Sequence, residues 1–205
     1  MEPIAKEKAQ DILNPYLERL NKVIAEKLNY YYSGPQYAAV RHEHTARSDA
    51  SICHDLVWRG LIAEFEGDSS VHLFKKKGLM LMSIKDTVVL RFNKFDHNLL
   101  SANSHTHQSA LFNLQDITEL EFEGMPPDGL LYVGYIPNDL ETGVGEIHVT
   151  YRYADTNVWT WEITTESVAD TIPFPAAASS QAKTTRKPKV KGKEKNVGDL
   201  DAGNL

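Results

Sequence analysis

Apolar residues recur at three- and four-residue spacing through Leu17, Leu20, Ile24, Leu28 and Tyr31, the mark of a helix with one face turned to a core. Asn14-Pro15 precedes the run as an N-cap followed by proline at the first helical position, where its missing donor costs nothing. Ser33-Gly34-Pro35 closes it, so the pattern predicts a helix over about residues 15 to 32. Tyr30-Tyr31-Tyr32 at its end reads either as a stacking surface for bases or as core packing with wet hydroxyls. Ser48-Asp49 as caps, Ile52, Leu56 and Val57 on one side, and Gly60 as a stop predict a second helix.

The period then changes. VHLFKK, LMLMSI and TVVLRF are short β-rich runs separated by Lys77-Gly78 and Lys85-Asp86, which predicts an antiparallel meander across residues 71 to 93. LLYVGYI, GEIHVTYRY and VWTWEIT add three strands, with alternation plainest at Ile147, Val149, Tyr151 and Tyr153, and Gly143-Val144-Gly145 reads as the closure of a hairpin. Helices come first and strands after. That order predicts an α+β domain over residues 1–175, with helices mainly in 1–60 packed on a mostly antiparallel sheet of about six strands in 70–165. From Ala176 to Leu205 apolar periodicity stops, and the composition predicts a disordered basic tail.

Charge divides along the same boundary. The last 30 residues carry seven Lys and Arg against three acids, while the first 175 carry 15 against 25. An acidic body repels a phosphate backbone, which disfavours nucleic-acid binding by the folded part and leaves Lys183–Lys195 as the only segment suited to it. One cysteine, Cys53, excludes an internal disulfide and any cysteine-rich zinc module. There is no run of 18 apolar residues to span a bilayer and no apolar leader at the start, so the expectation is a cytoplasmic protein with no membrane partner.

Residues 92–115, FNKFDHNLLSANSHTHQSALFNLQ, break the alternation with three His, four Asn, two Gln and three Ser. Two HxH pairs, His42 with His44 and His105 with His107, have a spacing at which extended backbone presents two imidazoles to one zinc; surface histidines in loops are the alternative. His105, His107, Lys94 and Arg91 could equally supply the acid, base and cation of a metal-free nuclease, or the stretch could be a loop held by its own side-chain hydrogen bonds. Cys53 and His54 are adjacent and diverge by about 100° on a helix, which makes them a poor nucleophile and base. Cys53 reads as a small buried residue. No phosphate-binding loop, dinucleotide motif, GxSxG or HExxH occurs, and no cofactor is expected.

Phe92-Asn93-Lys94-Phe95-Asp96, Ser101-Ala102-Asn103, Thr106-His107-Gln108, Phe112 and Gln115 resemble, at the same intervals, the FKKLD, SSN, TxQ, F and Q pattern of small, largely uncharacterised bacterial proteins. Val88 to Arg91, Leu131 to Tyr135 and Trp159-Thr160-Trp161 also resemble strands of that family, so the likeness covers about half the chain. Its members are encoded beside helix-turn-helix proteins fused to an ImmA/IrrE-type metallopeptidase domain, in toxin–antitoxin and phage-defence modules of the RosmerTA kind. The resemblance implies that this chain is one component of such a module, more readily the toxic effector, with that peptidase-like protein as its partner. It implies no reaction. The matched positions Arg91, Lys94, Asp96, Ser101, Asn103, Thr106, Gln108 and Gln115 are the candidate site, and their amides, cations and single acid suit a polar ligand or nucleotide as well as a partner surface. The sequence departs from the pattern at His105 and His107, where the family has no histidine, at Asn93 in place of a second basic residue, and at Leu99-Leu100 in place of a glycine and a polar residue. Two other readings stand beside the effector: a non-enzymatic binding module, either neutralising partner or sensor, and a metal-dependent hydrolase using the HxH pairs.

Overall fold

The computed structural model describes residues 3–101, 106–122 and 127–163. The disordered-tail expectation for residues 176–205 lies outside them. Among the described residues the chain forms α1 (Lys6–Leu13), α2 (Leu17–Ser33), α3 (Pro35–Ala38) and α4 (Ala46–Glu64), then β1 (Val71–Lys76), β2 (Leu79–Ile84) and β3 (Val88–Lys94). Two short helices, α5 (His107–Asn113) and α6 (Ile117–Leu120), lead into β4 (Gly129–Pro137), β5 (Val144–Tyr153) and β6 (Thr156–Glu162). The α+β architecture with N-terminal helices and a six-stranded, mostly antiparallel sheet is present. None of these helices is long and apolar enough to cross a membrane.

The helix boundaries differ from the sequence expectation in two places. Asn14 does not cap the long helix: its N–H bonds Gln10 and ends α1, and Asn14–Tyr16 is a 3-10 turn that carries the chain into α2. Pro15 lacks the N–H that would continue the α-helical ladder, so the helix tightens there and restarts. Gly60 is not a stop, since α4 runs on to Glu64. A Cβ at Gly60 would lie 2.8 Å from Val23 Cγ1 and 2.8 Å from Lys27 Cε, so this glycine lets α2 and α4 approach closely. The start of α4 is set one turn before Ser48, by Thr45, whose side chain accepts from the Ser48 N–H at 3.2 Å.

Side chains join the same two helices. Arg19 on α2 donates to Glu64 Oε1 at 2.9 Å and to Asp68 Oδ2 at 2.7 Å, and its guanidinium lies 4.0 Å from the centre of the Phe65 ring. The Tyr31 hydroxyl donates to the Asp49 carboxylate and meets His44 Nδ1 at 2.9 Å. Of the three tyrosines, Tyr31 and Tyr32 are core residues and only Tyr30 is half exposed, the arrangement expected of core packing rather than of an open stacking surface.

The sheet runs β1-β2-β3-β4-β5-β6, with every neighbouring pair antiparallel except β3 and β4. Lys77 and Gly78 both have positive φ, the conformation of a two-residue hairpin turn. A parallel pair needs a crossover, and residues 95–128 supply it, so the polar stretch becomes the link that carries the chain from the end of β3 back to the start of β4. Period-two alternation gives the two sheet faces separate cores. Leu90, Phe92, Leu131, Val133, Tyr135 and Val149 pack with α1, α2 and α4. Leu79, Leu81, Val89, Leu130 and Tyr132 pack with Leu111, Phe112, Ile117 and Leu120 of the crossover helices. Helices therefore cover both faces, where the sequence pattern had placed them mainly before the strands.

Candidate functional site

The sheet parts near its middle. β2 and β3 pair only over Met82↔Leu90, Ser83↔Val89 and Ile84↔Val88. Beyond that point β2 stays with β1 as far as Lys76↔Leu79, while β3 stays with β4 as far as Lys94↔Tyr135. Leu79 thus faces Arg91 to Lys94 across a wedge with no strand in it among the described residues. An open cleft of about 1680 Å³ occupies the wedge and spreads around the end of β3. It exceeds the roughly 300–1,000 Å³ of an ordinary small-molecule pocket, so its shape selects little and its polar groups must do the selecting.

Arg91 and Asn93 project from β3 to the side covered by α5. The Arg91 guanidinium is half-buried beside the edge-to-face pair of Phe112 and Tyr132, 5.8 and 5.7 Å from their ring centres. Its Nη1 donates to Ser109 Oγ at 3.3 Å and approaches Tyr132 Oη at 3.5 Å, and Tyr132 in turn donates to Asn113 Oδ1 at 2.6 Å. Burial lowers the Arg91 pKa and raises that of the Tyr132 hydroxyl, because each charged form loses water. Thr106 caps α5 through Ser109 N at 3.2 Å and donates to Ser109 Oγ at 3.0 Å, which places both hydroxyls beside Arg91.

Lys94 leaves β3 on the opposite side, toward α4, where Arg47 and His54 also border the cleft. His54 packs 6.1 Å from the centre of the Phe92 ring, and burial lowers its pKa, with Asp55 opposing and the Arg91 charge reinforcing. Asp96 closes the loop that follows: its Oδ1 accepts from the N–H groups of Asn98 at 2.8 Å and Leu100 at 2.9 Å. Gly134 makes this possible, since a Cβ there would meet the Asn93 carbonyl and lie 2.7 Å from the Phe95 ring. Asn157 Nδ2 then bonds the carbonyls of Asn98 and Leu99, each at 3.1 Å, and ties the loop to β6.

Of the eight candidate residues, Arg91, Lys94, Asp96, Thr106 and Gln108 border this one cleft. Ser101 bridges Phe95 across the loop and does not border it, and Asn103 lies outside the described residues. Gln115 is elsewhere. It is buried beneath the crossover, where Nε2 donates to the carbonyls of Leu130 and Arg152 at 2.8 and 2.9 Å and Oε1 accepts from Leu130 N at 2.9 Å.

The HxH pairs are not brought together by any contact among the described residues. His42 is largely exposed beside Glu43, His44 serves Tyr31 and Asp49, His107 is the exposed first residue of α5, and His105 lies outside the described residues. The described residues contain no group of three or more His, Cys, Asp and Glu arranged to hold a metal ion. Cys53 is fully buried, and burial pushes its thiol pKa up, as it does for Tyr135 and for Tyr32, the last to about 12. That raises the energy of the thiolate a nucleophile would need.

Sequence reasoning did not single out Asn93, Ser109, Arg47 or His54 as cleft residues. Two of them carried a signal: Asn93 follows Arg91 by two on one strand, hence on the same side, and Ser109 follows Thr106 by three, the spacing of an N-cap contact. Arg47 and His54 carried none, because only packing brings α4 to β3. No protein-family model, curated protein or solved structure matches this chain.

Proposed function

We propose that the protein acts through this cleft as the effector of a two-gene bacterial toxin–antitoxin or phage-defence module, neutralised by a helix-turn-helix/ImmA-IrrE partner. One observation carries the reading: Arg91, Lys94, Asp96, Thr106 and Gln108, which the resemblance marks along the sequence, meet around a single opening although they come from a strand, a loop and a helix. Gln115, which the resemblance also marks, instead bonds backbone groups in the core. In this reading the cleft receives the cellular target and the partner silences the effector by covering the opening.

Inducible expression of the full chain alone should arrest growth of a bacterial host, and co-expression of the partner should restore it. The double substitution Lys94→Ala with Gln108→Ala should abolish the arrest while folded protein accumulates to the parental level. Normal growth at verified expression in every host tried would sink the proposal. A second reading, a non-enzymatic binding module, draws on the edge of β3 from Arg91 to Lys94, which among the described residues has a strand on one side only and could take an extended segment of a partner by main-chain hydrogen bonds. It requires a stable complex with the partner and no growth arrest.

A further inference from the structure

The wedge between β2 and β3 holds a cation without a matching charge. Arg91 offers five N–H donors, yet its contacts are the Ser109 and Tyr132 hydroxyls, at 3.3 and 3.5 Å, and two aromatic faces. No carboxylate among the described residues stands within ion-pair distance of it. Five acids of the described residues border the cleft: Asp96 binds the backbone of its own loop, Asp55 stands beside His54, Glu146 pairs with His148 at 2.8 Å, and Asp139 and Glu141 lie on the turn between β4 and β5. Phe112 and Tyr132 meet each other edge to face at 4.9 Å, so Arg91 lies beside the pair, and the rings give its donors no charged acceptor.

Asn93 supplies an independent sign. Its side-chain Nδ2 is shut off from solvent and has no hydrogen-bond acceptor among the described residues. It lies two residues along β3 on the same side as Arg91, ~7 Å away by strand geometry. A half-buried guanidinium and an unpaired amide, both bordering a wedge that no strand of the described residues fills, each lack an acceptor, and for the guanidinium the acceptor that matches is an anionic oxygen.

We infer that the wedge is a binding subsite for an anionic oxygen group, a phosphate or a carboxylate, received by the Arg91 guanidinium and the Asn93 amide with the Ser109 hydroxyl beside them. The inference rests on the cleft being the protein's working site, and it adds the chemical class of what binds there. Lys94 and Arg47, at the α4 side of the opening, favour the approach of the same charge, while Asp139 and Glu141 on the turn between β4 and β5 oppose it there.

The test titrates the full-length protein with pyrophosphate and, separately, with succinate, following amide and Arg Nε resonances by NMR. One or both should bind in the millimolar range or tighter, and the stronger of the two identifies a phosphate or a carboxylate as the preferred group. Arg91→Gln should weaken binding roughly 10- to 100-fold, the range for losing a charge-assisted hydrogen bond. Lys8→Gln removes the same charge from an exposed pair with Asp128 that does not border the cleft, and it should bind as the parent does. Asn93→Asp guards against a misfolded Arg91 variant: it places a carboxylate next to Arg91, so it should raise the melting temperature and abolish anion binding.

Failure of both probes to bind the parent would overturn the subsite, as would undiminished binding by folded Arg91→Gln or by Asn93→Asp. Growth arrest is scored separately in the same strains. Anion binding without arrest by the parent would leave the subsite standing and remove the effector reading. Arrest by a parent that binds neither probe would do the reverse.

Discussion

Gln115 tests whether the crossover is held by one side chain. It is buried, with three hydrogen bonds to backbone groups of β4 and β5, at 2.8, 2.9 and 2.9 Å. Gln115→Ala leaves one N–H and two carbonyls without partners beside the fully buried Leu130. At roughly 1 kcal/mol net for each bond, and more for any group that water cannot reach, the loss comes to about 3 kcal/mol. For a domain of this size that corresponds to a fall of about 6–12 °C in melting temperature. Gln115 also sits at φ 57°, where alanine keeps the left-handed penalty and glycine escapes it. Gln115→Gly should therefore be more stable than Gln115→Ala by about 1 kcal/mol. Gln115→Glu keeps the acceptor for Leu130 N–H but sets a carboxylate against two carbonyl oxygens, so it should be the least stable of the three. Urea unfolding of the four proteins, with unchanged m-values, measures these differences. A loss below 1 kcal/mol in Gln115→Ala, or a Glu variant as stable as the parent, would refute the clamp.

Gly60→Ala gains about 1 kcal/mol of helix propensity, but its Cβ meets Val23 Cγ1 at 2.8 Å, and Val23 is a buried β-branched residue whose χ1 is held to one rotamer in a helix. The net effect should be destabilising by about 1–3 kcal/mol, and a more stable variant in thermal melts would contradict the close approach of α2 and α4. Gly134→Ala should displace the Phe95 ring and with it the Asp96 loop, lowering stability and weakening anion binding together; normal stability with normal binding would show that the loop does not depend on that glycine. His54 has a folded pKa below its ordinary 6.5 because it is buried. Above pH 6.5 both states are neutral; as pH falls below it the unfolded chain takes up the proton first, so stability drops until the lower folded value is reached and the loss stops. The parent should lose more stability than His54→Gln between pH 7.5 and pH 5.5, and equal losses would refute the assignment.

Much of the fold was legible because its signals are local. Three- and four-residue spacing from Leu17 to Tyr31 and period-two alternation through Ile147, Val149 and Tyr151 mark helix and strand wherever one side of an element is buried. Lys77-Gly78 announces its hairpin through backbone conformation alone. Boundaries were less legible. Pro15 and Gly60 have the same local chemistry whether they begin, break or end a helix, and at Gly60 the neighbour that decides, Val23, is 37 residues away in sequence.

By itself the sequence determined the α+β class, the strand segments and the unusual polarity of residues 92–115. Tertiary structure alone decided that this stretch is a parallel crossover rather than a hairpin loop, because strand direction depends on which edge the returning chain meets. It also separated residues that composition treats alike. Gln108 and Gln115 are seven apart in one polar run, yet one borders the cleft and the other replaces missing backbone partners in the core. The opening between β2 and β3, with Arg91 facing no carboxylate of the described residues, arises from two registers that diverge after Leu90. Register is a relation between distant segments, and only the folded chain brings those segments together.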